Sequence, residues 1–256
     1  EFNVRYFQFF DDWLLDGHRD MERGYGRPRL VRAVENLKNA CFQSVHKTSD
    51  GRYRMWYRPL VHFPEPGKPK LEIEDNVTPG FRRGRKRPGY AFCYAESDDG
   101  LHFDPVAVPA RDPRLPGHYN AIAVPEYSWL DDHTYGPLDV FLDERDPDES
   151  RRYKTLIQNG RMFTSPDGFH WMDSGIQTFQ SPGDLGSDTD NHIRYNPQTR
   201  RYQIMHRPGH WDRRVAITES EVNDPTRWSE RRRIVLSPDV LDPACHQFQG
   251  FPYYPY

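Results

Sequence analysis

The chain has 256 residues, with 38 acidic and 35 basic side chains for a net charge of −3, and it is 14% aromatic with 23 prolines and 18 glycines. A balanced surface gives no global electrostatic case for DNA or RNA, and no run of 18 apolar residues is present, so no nucleic acid and no membrane span are expected as partners. Three widely spaced cysteines, Cys41, Cys93 and Cys245, indicate neither a disulfide framework nor a zinc knuckle and read as buried thiols.

In chain order, "EFNVRYFQFF" opens the sequence without an initiator Met or a signal-peptide pattern, which leaves the compartment open. "NACFQSVHK" at 39–47 reads as a strand, the polar "KTSD" as a turn, and "GRYRMWYRP" at 51–59 as a second strand. The Pro/Gly-rich segment that ends in the basic run "RRGRKRPG" at 82–89 reads as a solvated loop. "YAFCYAES" at 90–97 is a third strand, and "HFDPVAV" from 102 a fourth. "YNAIAVPEY" at 119–127 is expected to begin a second set, continued by "RRYKTLIQN" at 151–159, "NGRMFTS" at 159–165 and "HWMDSG" from 170. A third set runs through "NHIRYN" at 191–196, "RRYQIMHRP" at 200–208, "RRVAITES" at 213–220 and "WSERRRIVL" from 228, and "CHQFQGFPYYPY" at 245–256 resembles the first strand of a fourth.

The sets share their punctuation. Each has an Arg-Tyr pair leading its second strand, at Tyr53, Tyr153 and Tyr202. "ESDDGLHF" at 96–103 and "TSPDGFHW" at 164–171 put the same turn after the third strand, and "EVNDPTRW" replaces it in the third set. In such a turn the Asp carboxylate accepts backbone N–H bonds, the Gly takes positive φ, and the aromatic folds back on the next strand. Four consecutive antiparallel strands, repeated, are the pattern of a β-propeller blade. A β-sandwich with chance likeness among its hairpins is the alternative. The propeller reading makes residues 1–256 one all-β domain that is cut short, with units near 39–108, 118–176 and 190–236 and a fourth starting near 245.

The repeated "YAESDDGLHF" and "FTSPDGFHW", the strand "RYRMWYR", the opening "FFDDWLL" and "GSDTDNHIRYNPQTRRYQ" together resemble an uncharacterised bacterial group related to the five-bladed β-propeller glycoside hydrolases, the set that includes families 32 and 43. The resemblance spans nearly the whole chain. It implies a ring of five blades when complete, a funnel lined by the first strand of each blade, and a carboxylate pair there for acid/base cleavage of a glycan, with a third Asp orienting hydroxyls or tuning a pKa. Glycoside cleavage needs a proton donor on one side of the bond and a carboxylate on the other. The chain lacks the Asn-Asp-Pro-Asn-Gly and Glu-Cys motifs of family 32, so that family's nucleophile and acid have no counterpart here.

Matched residue by residue, Asp190 and then Asp188 are the first catalytic candidates, because "DLGSDTDN" leads into the third set's first strand. A turn-capping role is the plain alternative. Glu126 is the candidate acid at the end of 119–127. Asn191, His192, His118, Asn120 and Asn39 occupy corresponding positions and are expected sugar ligands, and Arg58 and Arg207 are expected to clamp an acidic sugar or to pair between blades. No cofactor is implied. Ca²⁺ held by Asp188, Asp190 and Asn191 is the one metal option, without the Gly and closing Glu of an EF-hand. The competing function is a non-catalytic propeller that binds carbohydrate or protein.

Overall fold

The structure, a computed structural model, describes residues 40–61, 89–115, 117–124, 139–157, 159–179, 191–208 and 214–238. All of them lie in the compact unit Val34–Tyr256. The side chains of 40–43, 60–61 and 89–90 fall outside the description, as do Asn39, Glu126, Asp188, Asp190 and the tail at 245–256.

Three antiparallel meanders make up the described chain, and they contain almost no helix. The first sheet consists of β1 (Ala40–Lys47), β2 (Tyr53–Val61), β3 (Gly89–Tyr90), β4 (Cys93–Ser97) and β5 (Asp104–Pro105), in the order β1-β2-β4-β5 with β3 paired to β2. The second runs β6 (Val140–Leu142), β7 (Tyr153–Leu156), β8 (Arg161–Ser165) and β9 (Met172–Gln177). The third runs β10 (His192–Asn196), β11 (Arg201–His206), β12 (Val215–Val222) and β13 (Asp224–Leu236). In the second and third sheets sequence neighbours are spatial neighbours, whereas in the first β2 pairs with both β3 and β4.

Period-2 alternation lets the first and second sheets bury both faces. In β8, Phe163 packs with Trp56, Tyr94 and Trp171 between the first two sheets, whereas Met162 packs with Ile193, Ile204 and Phe179 between the second and third. In β2, Trp56 faces that first core, while Met55 and Tyr57 line another with Cys93, Phe103 and Leu115. A strand whose two faces both meet other layers must be apolar on both. Cys93 is buried, and burial pushes its thiol above the ordinary range.

The recurring turn is a fastener. Ser97 Oγ accepts from Gly100 N–H at 2.8 Å, Asp99 Oδ1 accepts from Leu101 and His102 N–H at 2.7 Å each, and His102 Nδ1 sits 2.5 Å from Asp99 Oδ2. Ser165, Asp167, Gly168, Phe169 and His170 repeat that pattern at 2.7–2.9 Å. Gly100 and Gly168 have φ of +74° and +83°. Gly168 is further constrained, because its carbonyl accepts from both Trp56 Nε1 at 3.0 Å and Trp171 Nε1 at 2.9 Å, and a Cβ there would lie 2.6 Å from Trp56 Cζ2. One turn thus closes its own hairpin and seats the second sheet on the first. In the third sheet β12 and β13 turn tightly at Asn223 (φ 57°), and Trp228 Nε1 donates to Pro225 O at 2.7 Å, preserving the bond from the aromatic to the turn carbonyl.

The expected strand at 119–127 needs correction. Its described part does not begin the second sheet: Asn120 O accepts from Tyr94 N–H, Ile122 N–H donates to Phe92 O, and Ala121 and Ile122 bridge Cys93 and Arg111. The segment therefore extends the first sheet. The first strand of the second sheet is Val140–Leu142, directly before the polar turn that leads to Tyr153. A ten-residue turn, 143–152, is a shorter connection than a loop from 127, within the usual range of loop lengths, and its closure entropy is lower by about 1 kcal/mol.

Charge is also buried between the second and third sheets. Lys154 Nζ, fully buried, lies 2.7 Å from Asp143 Oδ2 and 2.8 Å from Asp146 Oδ2, and Arg151 pairs with Asp146 at 2.9 Å. Two carboxylates thus meet two cations, which is the condition under which buried charge is tolerated.

Candidate functional site

Register brings together three residues at or just before the first strands: Ser44 in β1, Asp139 one residue ahead of β6, and His192 at the start of β10. The Arg-Tyr tyrosines Tyr53, Tyr153 and Tyr202 pair with Lys47, Leu142 and Tyr195. Three residues before each of those partners stand Ser44, Asp139 and His192. Although they come from three sheets and are distant in sequence, their side chains converge. Ser44 Oγ donates to Asp139 Oδ1 at 2.8 Å, and His192 Nδ1 lies 3.4 Å from Asp139 Oδ2. Arg194, one step further along the same face of β10, also donates to Asp139 Oδ2.

The cluster fastens the strand that carries it. Ser44 Oγ accepts from Val140 N–H at 2.8 Å, and His46 Nε2 meets Val140 O at 2.7 Å. Two side chains of β1 thus hydrogen-bond both backbone groups of Val140 at the edge of the second sheet. Thr155 Oγ1 donates to Asp139 O at 2.5 Å from the other side.

Electrostatics follow from these contacts. Burial pushes the Asp139 carboxyl up, but His192 and Arg194 outweigh it and hold the group well below the ordinary carboxylate range. Asp139 therefore stays ionised near neutrality and cannot donate a proton. It can orient a neighbour or stabilise positive charge. Burial lowers the basicity of His46, opposed by its bond to Val140 O and by Asp139. A carbonyl only accepts, so Nε2 of His46 carries the hydrogen and Nδ1 the lone pair.

The residues singled out from sequence distribute as follows. His192 belongs to the cluster. Asn191 precedes it and is fully buried, its amide directed at Ile157 O at 3.3 Å, which ties the entry of β10 to the second sheet. Asn120 Nδ2 donates to Tyr57 Oη at 2.9 Å and Tyr94 O at 3.0 Å, within the first sheet. His118 is half-buried, and burial pushes its imidazole down. Arg58 and Arg207 are fully buried. Asp190, Asp188, Glu126 and Asn39 lie outside the described residues. Among the described residues no group of three or more His, Cys, Asp or Glu is arranged to hold a metal, and no helix is long and apolar enough to cross a membrane.

Sequence reasoning missed Asp139, Ser44, His46 and Arg194. The available signal was the repeat itself: "LDVFLD" at 138–143 alternates and abuts the turn, as "FQSVHK" and "NHIRYN" do in the other two sets.

No family model matches the chain, and no curated protein is similar to it. Among solved structures it is similar to an endo-1,5-α-L-arabinanase from Thermotoga petrophila RKU-1, at 17% identity and a TM-score of 0.38, covering 73% of this chain and 38% of that one. It is also similar to a structure described under the GH130 family of mannoside phosphorylases, said to contain glycoside hydrolases that target β-1,2 mannosidic linkages in Candida mannan, at 16% identity and a TM-score of 0.41, covering 79% and 53%. The chain spans about half the length, or less, of these structures.

Proposed function

We propose that the three meanders are blades of a glycoside-hydrolase-type β-propeller, five-bladed when complete, and that a glycan is its ligand and substrate at the point where the first strands converge. The observation that carries this reading is the meeting of Ser44, Asp139 and His192, equivalent in register yet contributed by three different sheets. Repeating units that aim equivalent positions at one place make a shared site from separate strands. Hydroxyl, carboxylate, imidazole and guanidinium together match the hydroxyl-rich surface of a sugar. Asp139, buried and ionised, is the orienting carboxylate of this reading, and Asp190 with Asp188, just ahead of β10 in sequence, supply the second one that glycoside cleavage requires. Glu126, the candidate acid read from the sequence, lies outside the described residues.

The test is sugar release from a panel of neutral and acidic oligosaccharides and polysaccharides, by the protein and its Asp190→Asn and Asp139→Asn variants. The reading expects release by the parent and loss in both variants, with a ligand-induced thermal shift retained by Asp190→Asn. Thermal shifts without release from any member would overturn cleavage and leave a carbohydrate-binding propeller.

A further inference from the structure

Asp139 is the one carboxylate of the described cluster, and its two oxygens are faced by Ser44, Arg194 and His192, so a proton donor drawn from within the cluster is a different kind of group. We infer that His192 is the proton-transfer group of this site, with Asp139 as its positioning residue. The inference rests on the glycan reading above and puts a residue of the described cluster in the place of Glu126, the acid candidate read from the sequence.

The geometry determines which ring nitrogen does the work. Nδ1 of His192 is buried and makes no hydrogen bond among the described residues. The group facing it is Asp139 Oδ2, 3.4 Å away. A lone pair on Nδ1 would point at an anion, whereas an N–H there meets it favourably, so the hydrogen belongs on Nδ1. The side chain keeps 19% of its surface exposed, and since Nδ1 is buried that surface lies elsewhere on the ring. Nε2 is left to exchange protons.

His46 provides the contrast within the same cluster. Its Nε2–H is committed to Val140 O, so its proton sits on the opposite nitrogen and its ring is anchored to the backbone. The other charged or polar groups facing the cluster are Arg194, already paired with Asp139, and Ser44, whose hydroxyl is donated to Asp139. Neither can supply a proton to a sugar oxygen as readily as an imidazole can.

In the cleavage step the imidazolium gives its Nε2 proton to the departing glycosidic oxygen, while the electron pair of the C–O bond moves onto that oxygen. Water adds through its oxygen to the anomeric carbon. A proton of that water then returns to Nε2, so the ring ends as it began and no oxidant or further reactant is consumed.

The test combines a spectroscopic and a kinetic measurement on the full chain. Long-range ¹⁵N–¹H correlation on histidine-labelled protein should show His192 with its hydrogen on Nδ1 and His46 with its hydrogen on Nε2, and Asp139→Asn should erase the preference at His192 only. His192→Gln should lose roughly 10²–10⁴-fold in rate on glycosides with poor leaving groups and little on dinitrophenyl glycosides, whose leaving group needs no acid. A hydrogen on Nε2 of His192, or equal losses on both substrate types, would overturn the inference while leaving the glycan reading in place. A parent protein inactive on every glycoside would overturn both, whatever the tautomer.

Discussion

The Ser-x-Asp-Gly-x-His turns and the first-strand cluster are built from the same three side-chain types, but in the turns the bonds among the serine, aspartate and histidine close within three residues, whereas in the cluster Asp139 reaches partners 55 and 95 residues away. In the turns Asp99 and His102 are about half exposed, and in the cluster Asp139 is almost wholly buried. The difference shows that a serine, an aspartate and a histidine in contact do not by themselves define a site. Locally closed, they pin a hairpin. Drawn from three sheets, they report where the architecture converges, and only there does one substitution affect every sheet.

That comparison can be broken by stability measurements. The largest effect is expected at Asp139→Ala, which leaves Arg194 without its carboxylate and Ser44 without its acceptor. Removing one partner of a buried pair costs about 3–5 kcal/mol, read as a lower urea midpoint. Lys154→Ala should cost a similar amount by removing the cation that faces buried Asp143 and one of the two that face Asp146. Because both residues are structural in that measurement, only Asp139→Ala should also abolish glycan response.

Gly168→Ala comes next. Its positive φ opposes any Cβ, and the new atom would press on Trp56, so a loss of about 2–4 kcal/mol is expected, against about 1 kcal/mol for Gly175→Ala, where φ is +72° but no atom lies within 4 Å. Equal losses would show that the seat on Trp56 contributes nothing and that the turns are local fasteners alone.

Much of this was legible in the sequence, and the reasons are physical. Turn chemistry is written in consecutive residues, so Ser97 to Phe103 and Ser165 to Trp171 announce their geometry. The Arg-Tyr strands likewise reveal themselves by recurrence. The cluster was hidden because its members become equivalent only through register: Asp139 sits in "GPLDVFLDE", which looks like loop sequence until Leu142 is paired with Tyr153. Assigning the first strand of that set to 119–127 placed the expected ligands at His118 and Asn120, although Asn120 belongs to the first sheet's hydrogen bonding. His192 was visible because "NHIRYN" directly precedes its turn.

The smallest effects belong to acid titration of the turns. Burial raises the carboxyl of Asp167, but the N–H groups and ring of His170, the Phe169 N–H and the Ser165 hydroxyl bring it down to about 2. A depressed folded pKa contributes stability that is full above the unfolded value near 4 and lost as pH falls toward 2. Asp167→Asn should therefore flatten the stability profile between those values by less than about 1 kcal/mol, because the carboxylate is 41% exposed and screened by solvent. Asp139 carries the same sign, with the loss extending to lower pH. An Asp167→Asn effect as large as that of Asp139→Ala would erase the distinction between fastener and site.

The most direct test follows the imidazole C–H signals of His46, His192, His102 and His170 while neutral and acidic oligosaccharides are titrated into the protein. The account predicts that a bound member moves His46 and His192 together and leaves the turn histidines His102 and His170 in place. Movement confined to the turn histidines, or no movement at either first-strand histidine across the whole panel, would contradict it.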